Sequence, residues 1–479
     1  VTIRRTMNDT GHRTGGTRYT NPVRTTGTRR PGRNRPAPWR HAVLGTALLA
    51  LATGPAAAAA TGAGAPDPGP ADNVILLIGD GMGDAEITAA RNYSVGAVGR
   101  LAMDTLDTEG RRTTFSVDER GRPVYVTDSA AGATAWATGR RTVNGRVSKT
   151  PDTNRPLPTL LEKAHHQGYA TGSVTTASVA DATPAALTSH VTDRSCKGPA
   201  DMAACPADTR TAGGGGSIVE QTVAARPDVL LGGGADHFAQ TVTDGPHRGR
   251  TVLEQARATG YQVVRDQADL TAARPDRPVL GLFAPDQVPV EWTGTPAAPG
   301  GTTPRRCAPH NPARPAGTPT LAESTRAALD LLTARRDRSR ATGKGFFLQV
   351  EGAAIDDRAH EADPCGQIGE TVAFDRAVAT ALAYAEQHPR TLVIVTADHG
   401  HATQVLPQDA RPAGLSATLV TDEGGRMQLG YATAMPGEMQ DHTGAPVPVA
   451  ARGPLAHRVL GVRENTDLFG TVRAALGLR

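Results

Sequence analysis

Three apolar runs in this chain each stop at an acid. NVILLIGDGMGD (73–84) ends at Asp80 between two glycines. GFFLQVEGAAIDD (345–357) ends at Glu351-Gly352, with Asp356 one turn later, and TLVIVTADHGHATQ (391–404) ends at Asp398-His399-Gly400-His401. Runs of Val, Ile, Leu and Phe without polar alternation suit strands buried on both faces. A weaker fourth candidate, YATGSVTTASVADAT (169–183), reaches Asp181 and Thr183. Between these runs lie helical patterns: TLLEKAHHQG (159–168), TLAESTRAALDLLTARR (320–336) and FDRAVATALAYAEQH (374–388). Strands alternating with helices predict an α/β three-layer sandwich, with a central, mostly parallel sheet and helices on both faces. Ligands of such sheets bind beyond the carboxyl ends of the strands.

That rule gathers Asp80, Asp181, Thr183, Glu351, Asp356, Asp398 and His399 at one rim. Crowded carboxylates repel one another and cannot all stay ionised without cations. Carboxylate with imidazole suits Zn²⁺, and carboxylate with hydroxyl and water suits Mg²⁺. His360 follows Asp356 by four residues and shares its face if that stretch is helical. His442, in MQDHTGAP, offers an imidazole from a loop. The plain reading of any one acid is a helix N-cap after a βα turn; four strand ends behaving alike favour metal. His401 is expected behind the ligands, steering Asp356 or another of them.

YVTDSAAGATAWATG (125–139) reads as a short strand, YVT, then Asp128-Ser129, then small residues that open a helix. A serine there sits in positive partial charge beside free N–H groups, which favours an alkoxide or a bound phosphate. An ordinary N-cap is the alternative. Arg194, in HVTDRSCKG, has a group suited to a bidentate grip on phosphate oxygens. The glycine clusters GGGG (213–216) and LGGGAD (231–236) lack nucleotide-loop spacing and read as turns. His165 and His166 read as solvated.

The chain of 479 residues carries a net charge of +4, but residues 1–60 hold ten Arg and one Asp, a net of +9, so the remainder is −5. No basic excess there asks for nucleic acid. Arg-rich residues 4–40 precede AVLGTALLALATGPAAAAA (42–60), the pattern of a secretory signal, and TGAGAPDPGPAD (61–72) reads as a flexible linker. A stable membrane anchor is not expected, because Gly45, Gly54 and Pro55 interrupt a run of marginal length. Export to the periplasm or medium makes Cys196, Cys205, Cys307 and Cys365 candidates for disulfides, with three possible pairings. In one of these, Cys196 and Cys205 staple a surface loop and Cys307 and Cys365 form a long-range bridge.

IGDGMGD, TDSAAGATAWATG, DATPAALTSHVTDR, FFLQVEGAAID, VTADHGHATQ and HTG, in this order, resemble bacterial alkaline phosphatase. The likeness runs from about Asn73 to the C-terminal TDLFGTVRAALGLR, and implies one catalytic domain over 73–479. It implies Ser129 as the nucleophile that becomes phosphoserine, and Arg194 as the clamp on the phosphoryl oxygens. One zinc would lie with Asp356, His360 and His442, a second with Asp80, Asp398 and His399. A magnesium would lie with Asp80, Thr183 and Glu351, with Asp181 at or just beyond its shell. The likeness further implies sequential cysteine pairing, a homodimer, and secreted hydrolysis of diverse phosphate monoesters that serves phosphate scavenging. One residue departs from the pattern. The best-known bacterial members have Lys after the zinc aspartate, whereas this chain has Asp357. Asp357 is therefore expected to weaken phosphate binding and speed product release, unless Arg358 swings in or Asp357 points to solvent. Related phosphodiesterases, phosphomutases and sulfatases share such a rim, and an inactive phosphate- or metal-binding protein would keep the ligands but not Ser129.

Overall fold

A computed structural model describes residues 70–338 and 344–479. The expected export segment, 1–60, and residues 61–69 of the expected linker lie outside the described residues. The main element is a ten-stranded sheet. At its centre the strand Asn73–Gly79 pairs in parallel with Phe346–Gly352 on one side and Thr391–Thr396 on the other. Ala170–Ser178 continues the parallel order beyond Phe346–Gly352. Val447–Arg452 pairs antiparallel with Thr391–Thr396. The four strands that stop at acids are therefore side-by-side neighbours running the same way, so their carboxyl ends form one rim.

The absence of polar alternation now has its cause. Val74, Leu76 and Ile78 pack with Ala133, Trp136, Leu468 and Val472 on one face; Ile75 and Leu77 pack with Leu332, Phe374 and Val378 on the other. Successive side chains of a strand point to opposite faces, and helices cover both, so every position must be apolar. Each such side chain, fully buried, contributes roughly 1.5–3 kcal/mol. The expected three-layer α/β arrangement is observed.

Several boundaries differ from expectation. The segment YVT is not a strand: pairing stops at Pro123–Val124, and Tyr125 stands exposed. The helix expected from Phe374 begins ten residues earlier and spans Pro364–Gln387, capped by the Asp363 side chain, which accepts from Cys365 and Gly366 N–H. Asp before Pro is a helix-start signal; the glycines at 366 and 369 disguised it. In LGGGAD, residues 231–233 end the strand Val229–Gly233 and only Gly234 turns. A second, five-stranded sheet was not anticipated. It holds Thr403–Leu406, Leu415–Val420 and Arg426–Tyr431, and its buried Leu419, Leu429 and Tyr431 pack with Trp292 and Ile368. The cysteines pair sequentially, Cys196 with Cys205 and Cys307 with Cys365.

Candidate active site

The rim assembles two compact groups of side chains. Asp356, His360, His401 and His442 form one; Asp80, Asp398 and His399 form the other, the ligand-type atoms of each lying within 4.8 Å of one another. Asp80 and Asp398 lie at strand ends, whereas Asp356 and His360 share a face of the short helix Ala354–His360. His442 arrives on the loop that precedes the antiparallel strand. Two glycines make the convergence possible. Gly81 has φ +66°, and a Cβ there would sit 2.8 Å from Asp356 Oδ1; a Cβ on Gly132 would sit 3.2 Å from Asp398 Cβ. The second contact lets the helix Ser129–Thr138 dock against the strand end.

Ser129 opens that helix and is buried. Asp128, not Ser129, is the cap: its Oδ1 accepts from Ala131 N–H at 2.9 Å. This leaves the Ser129 hydroxyl free to face the second group, 3.2 Å from His399 Nε2 and 3.4 Å from Asp80 Oδ1. Arg194 is held at 3.4 Å from Asp128 Oδ2 and 3.1 Å from Asp181 Oδ1. Ser129, Arg194, Asp356, His360 and His442 line one cavity of about 770 Å³.

The imidazoles divide by tautomer. His360 Nδ1 lies against Gln440 O, and His442 Nδ1 lies 2.9 Å from Thr127 O. A carbonyl accepts, so in neutral rings both Nδ1 atoms carry the proton and both Nε2 atoms present lone pairs. Those two Nε2 atoms face each other at 3.0 Å. His401 is the opposite case. Its Nδ1 accepts from Ala402 N–H at 2.8 Å, so a neutral ring has N–H on Nε2, directed to Asp356 Oδ1 at 3.1 Å. His401 thus lies against Asp356 and belongs to the same compact group as His360 and His442, although it was expected behind the ligands.

The charge balance differs between the groups. Burial would raise the Asp356 carboxyl, but His360, His401 and His442 outweigh it and hold it well below the usual range. Burial lowers His442, and Asp356 reverses this, to about 9. In the second group burial, then Asp398 and Asp356, push Asp80 well up, and burial with Asp356 lifts Asp398 to about 6. Burial lifts Glu351 to about 8 against the hydrogen bond donated by Thr175. Asp181 goes the other way: Arg194 and Lys197 overcome burial and bring it to about 2.

These residues fit metal ions on their own evidence. Asp398 Oδ2 and Thr183 Oγ1 are buried without a hydrogen-bond partner. Paired Nε2 lone pairs and neighbouring carboxylates are donors that repel until a cation lies among them. Asp181, Thr183 and Glu351 enter neither compact group, but Glu351 acts electrostatically on Asp80, and Asp181 and Asp398 on Glu351.

Three things escaped the sequence reading. Asp128 caps the helix that Ser129 opens, the alternative read from the sequence, but its grip on Arg194 was not anticipated. Lys197, 3.6 Å from Asp181 Oδ1, was not singled out, though it is one of four lysines among 51 basic residues. Asn144 Oδ1 accepts from Asp128 N–H at 3.2 Å. Asp357 is half-buried and lines the cavity instead of pointing to solvent, and Arg358 is turned to Glu361 at 2.7 Å, so it does not take the missing lysine's place. Burial, with Asp356 and Asp181, lifts Asp357 to about 6. His165 and His166 are exposed.

A buried serine at a helix start, facing a metal-binding rim and an anchored guanidinium, has the chemistry of a phosphate-ester hydrolase. The sequence model of alkaline phosphatase matches residues 71–423, and the chain belongs to the alkaline phosphatase family. It is a phosphomonoesterase. It is 82% identical over 443 residues to the streptomycin-6-phosphate phosphatase of Streptomyces griseus, covering 92% of this chain and 98% of that one. It is 49% identical over 419 residues to an alkaline phosphatase of Escherichia coli, covering 86% and 87%. The crystal structure of a cold-active alkaline phosphatase from a psychrophilic Shewanella superposes with a TM-score of 0.63 at 25% identity, over 84% of this chain and 99% of that one.

Proposed function

We propose that the chain hydrolyses phosphate monoesters through a phosphoserine at Ser129. The observation that carries this reading is the buried Ser129 hydroxyl, 3.2 Å from His399 Nε2 and on the wall of the cavity that holds Arg194. Asp356, His360 and His442 would hold one zinc, Asp80, Asp398 and His399 a second, and Asp80, Thr183 and Glu351 a magnesium, with Asp181 beside it. When bound, such ions supply Lewis acidity to the serine hydroxyl and to the departing oxygen.

The chain's own residues do the rest. Asp128 caps the helix and leaves Ser129 aimed into the cavity. Arg194, braced by Asp128 and Asp181, meets the phosphoryl oxygens, where the loose transition state spreads its charge. The Ser129 Oγ–P bond forms as the bond from phosphorus to the alcohol oxygen breaks, and the alcohol leaves with a proton. Water then cleaves phosphoserine to inorganic phosphate and the free hydroxyl. The Asp128 and Asp181 anchors fix the guanidinium before substrate arrives, which saves its ordering cost.

Two readings of the substrate follow. Broad phosphate scavenging needs only a grip on the phosphoryl group. The relative in Streptomyces griseus favours streptomycin 6-phosphate, because 82% identity extends over nearly the whole of both chains. We further propose that the chain is exported by its N-terminal segment and acts as a homodimer; the two disulfides support export. Among the described residues no helix is long and apolar enough to cross a membrane.

Metal analysis of purified protein, with turnover of a phosphate monoester, a diester and a sulfate ester, tests the reaction. Acid-quenched phosphoserine at residue 129 is expected. Preference for the diester or the sulfate, or full activity after chelation, overturns it.

A further inference from the structure

The cavity wall carries two carboxylates that form no ion pair among the described residues. Asp357 and Asp441 line it together with Ser129 and Arg194. Arg358 turns from Asp357 to Glu361. Asp441 is exposed, and neither carboxylate forms an ion pair among the described residues. The other carboxylates near the guanidinium, Asp128 and Asp181, are both held by Arg194, and Asp181 also faces Lys197. The cations there are matched by carboxylates, whereas Asp357 and Asp441 add negative charge to the wall without an ion pair.

The phosphomonoesterase reading brings a ligand here independently of these acids, since Ser129 and Arg194 line the same space. The cavity of about 770 Å³ falls within the range of pockets that enclose a molecule much larger than phosphate. A leaving group held in the cavity is then exposed to the wall that Asp357 and Asp441 help to form. A carboxylate there repels an anionic alcohol and attracts a cationic one, and a guanidinium matches carboxylate geometry in bidentate fashion.

We propose that Asp357 and Asp441 make this pocket selective for phosphate monoesters whose alcohol portion carries guanidinium or ammonium groups. The inference rests on the phosphomonoesterase reading and deepens it. Asp357 thus acts on the leaving group, which gives the departure from the family's lysine a use in substrate choice.

The test compares 4-guanidinobutyl phosphate with 4-ureidobutyl phosphate, which differ in charge but hardly in shape. The readout is the ratio of kcat/KM values for the two esters, measured on the metal-loaded enzyme. Effects on metal content or on the phosphoryl grip cancel in that ratio. The wild-type ratio is expected to exceed tenfold and to shrink with added salt. Asp357→Asn and Asp441→Asn should each reduce it about tenfold or to near unity, and Asp357→Glu should retain it. A wild-type ratio near one, or a preference untouched by both asparagine variants, overturns the charge reading while leaving phosphomonoesterase activity standing. Failure to hydrolyse either ester, or p-nitrophenyl phosphate, overturns both.

Discussion

The two halves of the centre solve opposite problems. Around Asp356 three imidazoles surround one carboxylate, and the carboxyl falls well below its usual range. Around Asp80 and Asp398 one buried imidazole faces several acids, and those carboxyls rise. Both halves sit at the carboxyl rim of one sheet, so topology does not separate them. The ratio of imidazole to carboxylate does. One half comes close to electrical balance within the protein, and the other stores repulsion that a cation relieves.

The largest expected effect concerns the hydroxyl between the rim and the cavity. Ser129→Ala should lower turnover on the order of 10³-fold or more while the metal content stays near wild type. Residual turnover close to wild type would show that the halves act without a serine nucleophile.

The contrast itself predicts opposite signs in chelated protein at pH 8. The folded Asp398 carboxyl is raised to about 6, so above its unfolded value it costs stability, and Asp398→Asn should raise the melting temperature. The folded Asp356 carboxyl is depressed, so above its unfolded value it contributes stability, and Asp356→Asn should lower it. Each change should amount to roughly 1–3 kcal/mol. With zinc restored both substitutions should destabilise. Calorimetry showing the same sign for both in chelated protein would break the comparison.

A third test adds charge instead of removing it. Asp357→Lys should lower the inhibition constant for phosphate about tenfold, as roughly 1–3 kcal/mol of added attraction at an effective dielectric near 20 implies. An unchanged constant means that Asp357 does not act on bound phosphate.

The smallest effect is expected far from the centre, where one imidazole meets one carboxylate. His190 Nε2 lies 3.0 Å from Glu162 Oε1; burial lowers the imidazole, and Glu162 outweighs it to raise it. Because the folded value is raised, this pair contributes fully below the unfolded histidine value and loses its contribution as pH rises through the folded one. Glu162→Gln should therefore cost up to about 1 kcal/mol at pH 6 and less at pH 9, read from melting temperatures. Equal losses at both values would assign the effect to the helix cap that Glu162 also serves.

Much of this centre was written in strand ends. Asp80, Glu351 and Asp398 were legible because several doubly buried strands end in acids together, where any one acid alone would read as a helix cap. Asp356 and His360 followed from helical spacing. The neighbourhood of Ser129 was harder to read. Asp128 looked like a cap because it is one, and its second oxygen, which takes Gly145 N–H at 2.9 Å and faces Arg194, depends on contacts far along the chain. Lys197 offered only its rarity. The tautomer of His401 is set by a single backbone N–H, which no pattern of residue types records. The second sheet was missed because its strands mix polar with apolar residues and are spaced by Pro- and Gly-containing segments, and its buried side chains pack on Trp292 and Ile368.

The route by which His442 arrives has an evolutionary consequence. The chain leaves the rim at Gly400-His401, builds three strands of the outlying sheet, and returns at His442-Thr443, where Thr443 N–H donates to Gly400 O at 3.0 Å. Departure and return are tied side by side, so the excursion between them is a loop closed at its neck. Lineages can lengthen, trim or replace such a loop without shifting the histidines at its base. Because Thr433 and Asp441 belong to the excursion and line the cavity, its remodelling reshapes that wall while the strand ends stay in place.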